Sequence, residues 1–474
     1  MSTSPQYQRE RVFRDSVHGL IPVSARDGFV IDLIDTPEFQ RLHRVRQLGV
    51  ASLTFPGTDH SRFCHSLGVF HITTRILDVL RNRYPTGLVH NLIEQHHLTI
   101  KAAALLHDMG HGPFSHLMER VFDNSKDHEE RTKEMITSTE GAIQQKLADH
   151  GIDPAEVRQV IDHKFPFLFL QDIVSSQLDA DRMDYLVRDS HFAGVNYGVF
   201  DLEWILNCLC VGSYSQKKEP ANLRLCLETR RGLQVAEQLI LARQHMSLQV
   251  YYHKSTRRWE AVFLCLIREA CRLADSDALP NHTPELVKTY LKHRGKVSHE
   301  EFLRLDEPLM IYAFTVWRDV RVPRHEWLAT LATGFLDRRK VLVRVELSEN
   351  ISVDKETVLR RRLETELAGY GDSHWELDSG EFTPYKGSHP DTRNLDPRGY
   401  HDSVLSNSIL LSSGEPSAHA TPVAEVSGIF RTLLGERFRL RRLYCNPALK
   451  VTIDRIVSEV LTSHEPQLEL ALPQ

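Results

Sequence analysis

Residues Ala102–His116, AAALLHDMGHGPFSH, constrain this chain more than any other stretch. They open as an apolar helical run and break at the adjacent pair His107-Asp108, followed by a Gly110-His111-Gly112-Pro113 turn. The apolar run asks for a buried helix, and the glycines and proline behind it bring that helix to a stop. The side chains at the stop are an imidazole and a carboxylate from neighbouring positions. They can converge on one cation if other segments supply the remaining ligands. His111 and His116 stand where the turn brings two more imidazoles close. An ordinary helix end with incidental polar residues fits this stretch as well, so the rest of the chain must decide.

At 474 residues the chain has room for two or three domains. Its 41% hydrophobic and 26% charged residues fit a soluble protein that can bury a sizeable core. A net charge of -5 gives no support to attachment to nucleic acid by bulk positive charge, although a local basic groove stays compatible with it. The segment Met1–Phe13 is polar and lacks the apolar core of a signal peptide, and no run is apolar and long enough to span a bilayer. A cytoplasmic protein without membrane contact is therefore expected. The cysteines, Cys64, Cys208, Cys210, Cys226, Cys265, Cys271 and Cys445, are scattered and odd in number. Cys208-x-Cys210 lacks a second pair, so reduced thiols are expected rather than a zinc finger or a disulfide framework.

Val12-Phe13 and Leu20–Val23 predict an extended or hairpin region turning at His18-Gly19. Thr36-Pro37 announces a capped helix, with Phe39, Leu42, Val45 and Leu48 as its apolar stripe and Gly49 as its stop. A loop through Phe55-Pro56-Gly57 leads to a helix carrying Val69, Ile72, Ile76 and Leu80. His65 at its start is a candidate third metal ligand. Arg62, one turn earlier, offers a guanidinium fork suited to a phosphate-bearing substrate, although on its own it reads as a surface cation. Asp127 caps a helix that begins at His128-Glu129, by itself a solvated helix start, and Asp153-Pro154 begins another.

A long helix is predicted from Leu168 through Val187, and Asp181, Tyr185 and Asp189 share one of its faces at i, i+4 and i+8. Carboxylates set into an otherwise apolar helix are costly unless paired or bound to a cation, which favours a functional stripe. Leu206–Val211 and Leu223–Leu227 predict a β-hairpin. Helical periodicity runs from Leu233 to Ala274, with Arg243, Tyr251 and Tyr252 as a polar and aromatic interval before the basic run His253–Arg258. Beyond Pro280, helices are predicted at 284–292, 308–318, 324–338 and 354–368, and strands at Val341–Leu347 and Val404–Leu411. Residues 370–402 read as a long, weakly patterned loop.

Taken together, His65, His107-Asp108 and Asp181 resemble the H…HD…D signature of the HD-domain metal-dependent phosphohydrolases. The ordered set Phe39–Leu42, Gln47–Gly49, Phe55–Gly57, His60–Val69, His107–His116 and Asp179–Tyr185 is similar to their deoxynucleoside triphosphate triphosphohydrolase branch, which includes bacterial dGTPases and the vertebrate restriction factor. The resemblance covers residues 11–275, and Phe438–Tyr444 resembles the branch's C-terminal segment. It implies a mainly α fold: an HD-domain helical core with a small β-hairpin insertion, plus a C-terminal α+β accessory region. The implied division is an N-terminal extended segment (1–28), a helical catalytic domain (29–280) and an accessory, oligomerising region (281–474).

The same resemblance implies that His65, His107, Asp108 and Asp181 hold the metal, and their mixed N/O ligation fits a divalent transition ion (Mn, Fe, Zn, Ni or Co), with a second site open to Mg. It places His111, His116, His128 and Glu129 around the α-phosphate and the attacking water. His116 is the first choice as general acid, with Glu129 orienting the imidazole of His128 or His116, and the sequence leaves acid and base open among the three histidines. Arg62, Arg182, Tyr185, Asp189, Arg243 and Tyr251 fall on positions that touch triphosphate and sugar. Gln47 and Leu48 match the pair that packs on deoxyribose. Two departures stand out: Arg182 replaces a Lys, and His43 replaces an Arg of a nucleotide activator site, which weighs against activation by GTP or a dNTP. The expected activity is metal-dependent hydrolysis of a dNTP to deoxynucleoside and inorganic triphosphate, by a homo-oligomer. The alternatives are an HD phosphodiesterase or nucleotidase acting on a cyclic dinucleotide, a nucleoside monophosphate or an alarmone, and a non-catalytic nucleotide or single-stranded nucleic-acid binding module. The Arg257-Arg258 and Arg439–Arg442 clusters keep weak single-stranded nucleic-acid binding open.

Overall fold

The computed structural model describes residues 10–122, 126–214, 220–347, 351–383, 385, 408–434 and 436–463. The fold is mainly helical, with small sheets at its margins. No helix among the described residues is long and apolar enough to cross a membrane. The predicted N-terminal hairpin is present: Arg11–Asp15 pairs antiparallel with Gly19–Val23, and Gly19 takes a positive φ of 74° at the turn.

The helix announced by Thr36-Pro37 is shorter than its apolar stripe predicts. Thr36 caps Pro37–Gln40, a single 3-10 turn follows over Arg41–Arg44, and the chain then becomes extended at Val45. The backbone of 45–47 finds its partners in a neighbouring segment instead of its own preceding turn: Gln47 N donates to His60 O at 3.0 Å, and Arg62 N donates to Val45 O at 2.9 Å. That exchange sets Gln47 and Leu48 beside the start of the next helix.

The helix carrying His65 spans Arg62–Arg83 and packs on the following one, Leu88–Leu106. Ala102–Leu106 are fully buried, as the opening stretch requires. Asp127 caps His128–Thr137, its carboxylate accepting from Glu130 N at 2.8 Å. The expected long helix from Leu168 to Val187 is two helices, Leu168–Val174 and Ala180–Ala193. The break arises because Asp179 leaves the helical region to cap the second one, accepting from Arg182 N and Ser176 N, each at 2.8 Å. Likewise the run from Leu233 to Ala274 divides into Thr229–Met246, a π-helical turn over Ser247–Tyr251, and Lys254–Asp275.

The inserted hairpin begins at Leu209, because Leu202–Cys208 is helical, and pairs Leu209–Ser213 with Leu223–Glu228. Leu410–Ser412 adds to it in parallel, so the C-terminal part of the chain completes this sheet. The strand expected over Val404–Leu411 is seen as Leu410–Ser412, and positions 404–407 lie outside the described residues. Within the expected loop 370–402, Trp375–Phe382 is instead a strand, paired antiparallel along its length with Phe438–Cys445. The loop's remainder from 386 onward lies outside the described residues. This sheet packs two helices, Val353–Glu366 and Lys450–Thr462, around a small core of its own that includes Leu359, Leu377, Leu443 and Ile453.

The Arg439–Arg442 cluster is spent internally. Arg439 pairs with Glu381, Arg441 with Glu356, and Arg442 Nη1 donates to Tyr252 O at 3.1 Å.

The turn after His107-Asp108 is unusual in backbone: Phe114 and Ser115 take positive φ values of 56° and 48°. Non-glycine residues resist this region, so the surroundings must hold them there. Phe114 is locked among Phe263, Phe314 and Phe335, with ring centroids 4.6–6.0 Å away. From the helix Glu307–Arg318, the carboxylate of Glu307 accepts from Arg46 N at 3.0 Å and Phe114 N at 3.4 Å. Burial pushes the Glu307 pKa up to about 7 from the ordinary 4.5, against the smaller pull of Arg46 and those two N–H groups. The folded state therefore keeps its proton between these two values while the unfolded chain releases it. Stability falls as pH rises through that window, and the loss is complete above about 7. Glu307→Gln, which keeps an acceptor without the charge, should stabilise the fold at pH 8 by about 1–3 kcal/mol and leave it unchanged near pH 4.5. Urea midpoints at both pH values check this; a variant no more stable than wild type at pH 8 contradicts it.

Candidate active site

Two helix starts and one helix end converge on a buried centre. His65 comes from the first turn of Arg62–Arg83, His107 and Asp108 from the end of Leu88–Leu106, and Asp181 from the first turn of Ala180–Ala193. His65 Nε2 lies 3.1 Å from Asp181 Oδ1 and 3.6 Å from Asp108 Oδ2. His107 Nε2 lies 3.6 Å from Asp181 Oδ1 and 3.4 Å from Asp108 Oδ1. One donor atom each from His65, His107 and Asp181 fits within 4.8 Å of the others, a spacing suited to one metal ion.

The tautomers support that use. His107 Nδ1 sits 2.9 Å from Ala104 O, and a carbonyl only accepts, so Nδ1 carries the proton and Nε2 keeps its lone pair. His65 Nδ1 donates to Asp184 Oδ2 at 2.8 Å, which gives the same result. Both Nε2 atoms are buried without a hydrogen-bond partner, and such orphans fit the residues of a metal site. Burial works against charge on His65, yet the carboxylates of Asp181 and Asp184 outweigh it and favour positive charge at Nε2, a proton in the free protein and the cation itself when one is bound. For Asp181 burial is likewise outweighed, by His107 and His65, and its carboxyl stays well below the ordinary carboxylate range. The cradle is thus a carboxylate-rich one that favours a cation.

Asp184 escaped the sequence reading. It sits three residues after Asp181 on the same helix, is fully buried, and touches His65 rather than the centre itself. The second unread feature is Gly68, one turn along from His65. A Cβ there would collide with Asp184 Oδ1 and Arg188 Nη2, so only glycine lets the two helices approach this closely.

A second set of imidazoles adjoins the first. His111 stacks on His128 at 3.9 Å, and His116 stands edge-on to both at 5.0 and 4.9 Å. These three offer nitrogen donors, whereas Mg takes oxygen. Asp108 links the two sets, its Oδ1 lying 3.4 Å from both His107 Nε2 and His111 Nε2. Gly110 makes the join sterically feasible, because a Cβ there would strike His128 O and Thr132 N.

The carboxylate serving His116 and His128 is Glu119, with Oε2 at 3.0 Å from His116 Nδ1 and Oε1 at 3.0 Å from His128 Nδ1. Glu129 instead lies exposed on its helix, with no hydrogen-bond partner among the described residues. The signal for Glu119 was present as His116-x-x-Glu119 on one helical turn, but the adjacency of His128-Glu129 drew attention away from it.

The residues expected on the substrate side have these partners. Arg62 is buried, bonded to Asp108 and, through Nε at 3.0 Å, to Ser115 Oγ. Arg182 is held by Asp179 and Ser176 O, and Arg243 Nη1 donates to Gln177 Oε1 at 2.6 Å. Tyr251 donates to Asp189 Oδ2 at 2.8 Å, His60 Nε2 meets Asp189 Oδ1 at 2.8 Å, and the Tyr185 ring lies 6.3 Å from that of Tyr251. Gln47, Leu48, His116 and Tyr251 border a cavity of about 400 Å³, which Arg120, Tyr252 and Glu260 close on its far side. A larger hollow of about 930 Å³ lies along Arg131 and Phe302, apart from both imidazole sets. The smaller cavity is the one that opens on the chemistry.

Residues 62–189, which carry all of the candidate metal ligands, match the HD domain family. The uncharacterized protein YwfO of Bacillus subtilis is 38% identical over 331 residues, 70% of this chain and 71% of that protein. The deoxynucleoside triphosphate triphosphohydrolase SAMHD1 of Mus musculus is 31% identical over 247 residues, which span 45% of this chain and 36% of that protein. A phosphohydrolase crystal structure from Bacteroides thetaiotaomicron superposes with a TM-score of 0.71 at 26% identity, covering 92% of this chain and all of that one. With the buried His-Asp cradle lying inside the matched segment, the chain belongs to the HD-domain phosphohydrolases, in their SAMHD1-like branch.

Proposed function

We propose that the protein hydrolyses deoxynucleoside triphosphates to deoxynucleoside and inorganic triphosphate. The observation that carries this reading is the pair of orphaned Nε2 atoms on His65 and His107, joined through Asp108 to a Glu119-held imidazole group whose His116 borders a cavity with Gln47, Leu48 and Tyr251. The SAMHD1 relatives, which are named as deoxynucleoside triphosphate triphosphohydrolases, support it. His65, His107, Asp108 and Asp181 would hold a divalent transition ion, which when bound supplies Lewis acidity toward the α-phosphate and toward water.

The chain's own residues account for the rest. Arg62, Arg182 and Arg243 would neutralise the triphosphate, and their present partners already fix where their remaining N–H groups point. Water attacks the α-phosphorus, the bond to the 5′-oxygen breaks, and that oxygen takes a proton. His116 suits this step: its side chain is exposed toward the cavity, and Glu119 on Nδ1 leaves Nε2 to carry the proton. His111 and His128, stacked on each other beside it, suit the attacking water. Leu48 and Gln47 would pack on the deoxyribose.

Protein loaded with Mn should release triphosphate from at least one of the four dNTPs, in a screen that includes the four rNTPs and a cyclic dinucleotide. Anion-exchange chromatography showing orthophosphate or pyrophosphate as the sole inorganic product overturns the proposal. His107→Ala and Asp181→Ala should each lose bound metal on dialysis, read by elemental analysis, whereas Glu119→Gln should retain it. Glu119→Gln should lower kcat by about 100-fold or more, the scale of general-acid loss, while Glu129→Gln stays near wild type. The reverse order would return the orienting role to Glu129.

A further inference from the structure

Asp184, which aims His65, is itself held from the far end of the chain. Its Oδ1 accepts from His18 Nε2 at 2.6 Å and from Arg188 Nη2 at 3.0 Å. Its Oδ2 accepts from His65 Nδ1 and from Arg188 Nε, each at 2.8 Å. A carboxylate offers about four lone-pair sites, so all of them are filled. The side chains of Asp184 and Arg188 are wholly buried, and that of His18 nearly so.

Arg188 is anchored in turn by Asp15, with Nη1 to Oδ2 at 2.9 Å and Nη2 to Oδ1 at 3.2 Å. Asp15 also shapes the hairpin tip, its Oδ1 accepting from Val17 N at 2.9 Å and His18 N at 2.8 Å. One aspartate therefore builds the turn that presents His18 and steadies the arginine that shares its target. Neither Asp15 nor His18 belongs to the two imidazole sets, and neither borders the cavity.

We infer that Asp15 and His18, at the tip of the N-terminal hairpin, are positioning residues for the metal centre, acting through Asp184 and Arg188 on the aim of His65 Nε2. The inference rests on His65 being a metal ligand. Without His18, Asp184 keeps one free lone pair and can turn, and the Nδ1–H of His65 loses its fixed acceptor. Partners of this kind, one bond removed from a ligand, change metal affinity by about 10–100-fold when lost. A hairpin that merely packed against the helices would leave affinity untouched as long as the fold survived.

The test is Co²⁺ binding to the full-length protein, by competition with a chromophoric chelator, together with the visible spectrum of the Co²⁺ complex. His18→Ala should weaken Co²⁺ binding by about 10–100-fold and alter the spectrum, and His18→Gln, which restores a donor to Asp184, should recover most of both. Asp15→Asn keeps Oδ1 for the turn but removes the charge and the Oδ2 acceptor that hold Arg188 Nη1, and should also weaken binding. Val12→Thr, on the hairpin's exposed face, should bind as wild type does. Wild-type affinity and spectrum in folded His18→Ala overturn the inference. If circular dichroism shows that variant unfolded, wild-type behaviour of Asp15→Asn overturns it instead. Wild-type protein that fails to bind Co²⁺ would refute the metal-site reading beneath it, a result separable from the others.

Discussion

The centre depends on how one buried carboxylate is held. Asp184 lies wholly inside the protein, where an ionised carboxylate without partners would be costly enough to give up its charge. Burial does work against it, but Arg188, His18 and His65 hold its carboxyl well below the ordinary carboxylate range. These same bonds tie the helix Ala180–Ala193 to the helix Arg62–Arg83 and both to the N-terminal hairpin. Gly68 permits the contact, since any side chain there would occupy the space of Asp184. Affinity for a cation and the packing of two helices are therefore fixed by one set of interactions.

From that anchor the site separates into two kinds of work. His65 and His107 leave Nε2 atoms without a hydrogen-bond partner, within 4.8 Å of an Asp181 carboxylate oxygen, an arrangement that suits a cation. His111, His116 and His128 are instead stacked and tethered through Glu119, which suits proton movement. The strained turn at Phe114-Ser115 keeps the two groups side by side, and the aromatic cluster around Phe114 supplies the packing that holds it. The C-terminal sheet then braces the cavity: Glu376 pairs with Arg120, and Asp378 pairs with Arg257, each arginine lining it. The helices around the cavity thus lean on residues 121 and 256 positions downstream.

Much of this was legible along the chain. The expected helices beyond Pro280 fall close to their bounds, because each has its own apolar periodicity and two of them, Glu307–Arg318 and Val353–Glu366, have a side-chain cap from Asp306 and Ser352. The expectations that failed share a cause. The stripe ending at Leu48 and the run from Leu168 to Val187 both have helical periodicity, yet each is interrupted where backbone N–H groups find partners elsewhere: His60 O for Gln47, and the side chain of Asp179 for Ser176 and Arg182. Periodicity reports which face is buried and is silent about such competition. The strand Trp375–Phe382 was hidden for a similar reason, since its pairing partner lies some sixty residues on at Phe438–Cys445.

In the site, what the sequence determined by itself was the chemistry: two imidazoles and two carboxylates at His65, His107, Asp108 and Asp181, whose types and helix-end positions already point to a cation. What only the tertiary structure decided was which groups serve them. Glu119 rather than Glu129 reaches His116 and His128, because the helix beginning at His128 turns Glu129 outward. Asp184 reaches His65, and His18 reaches Asp184 across 166 residues. The physical reason is that a ligand is recognised by residue type and local geometry, both written along the chain. An orienting partner is chosen by distance in space, which exists only once the helices have packed.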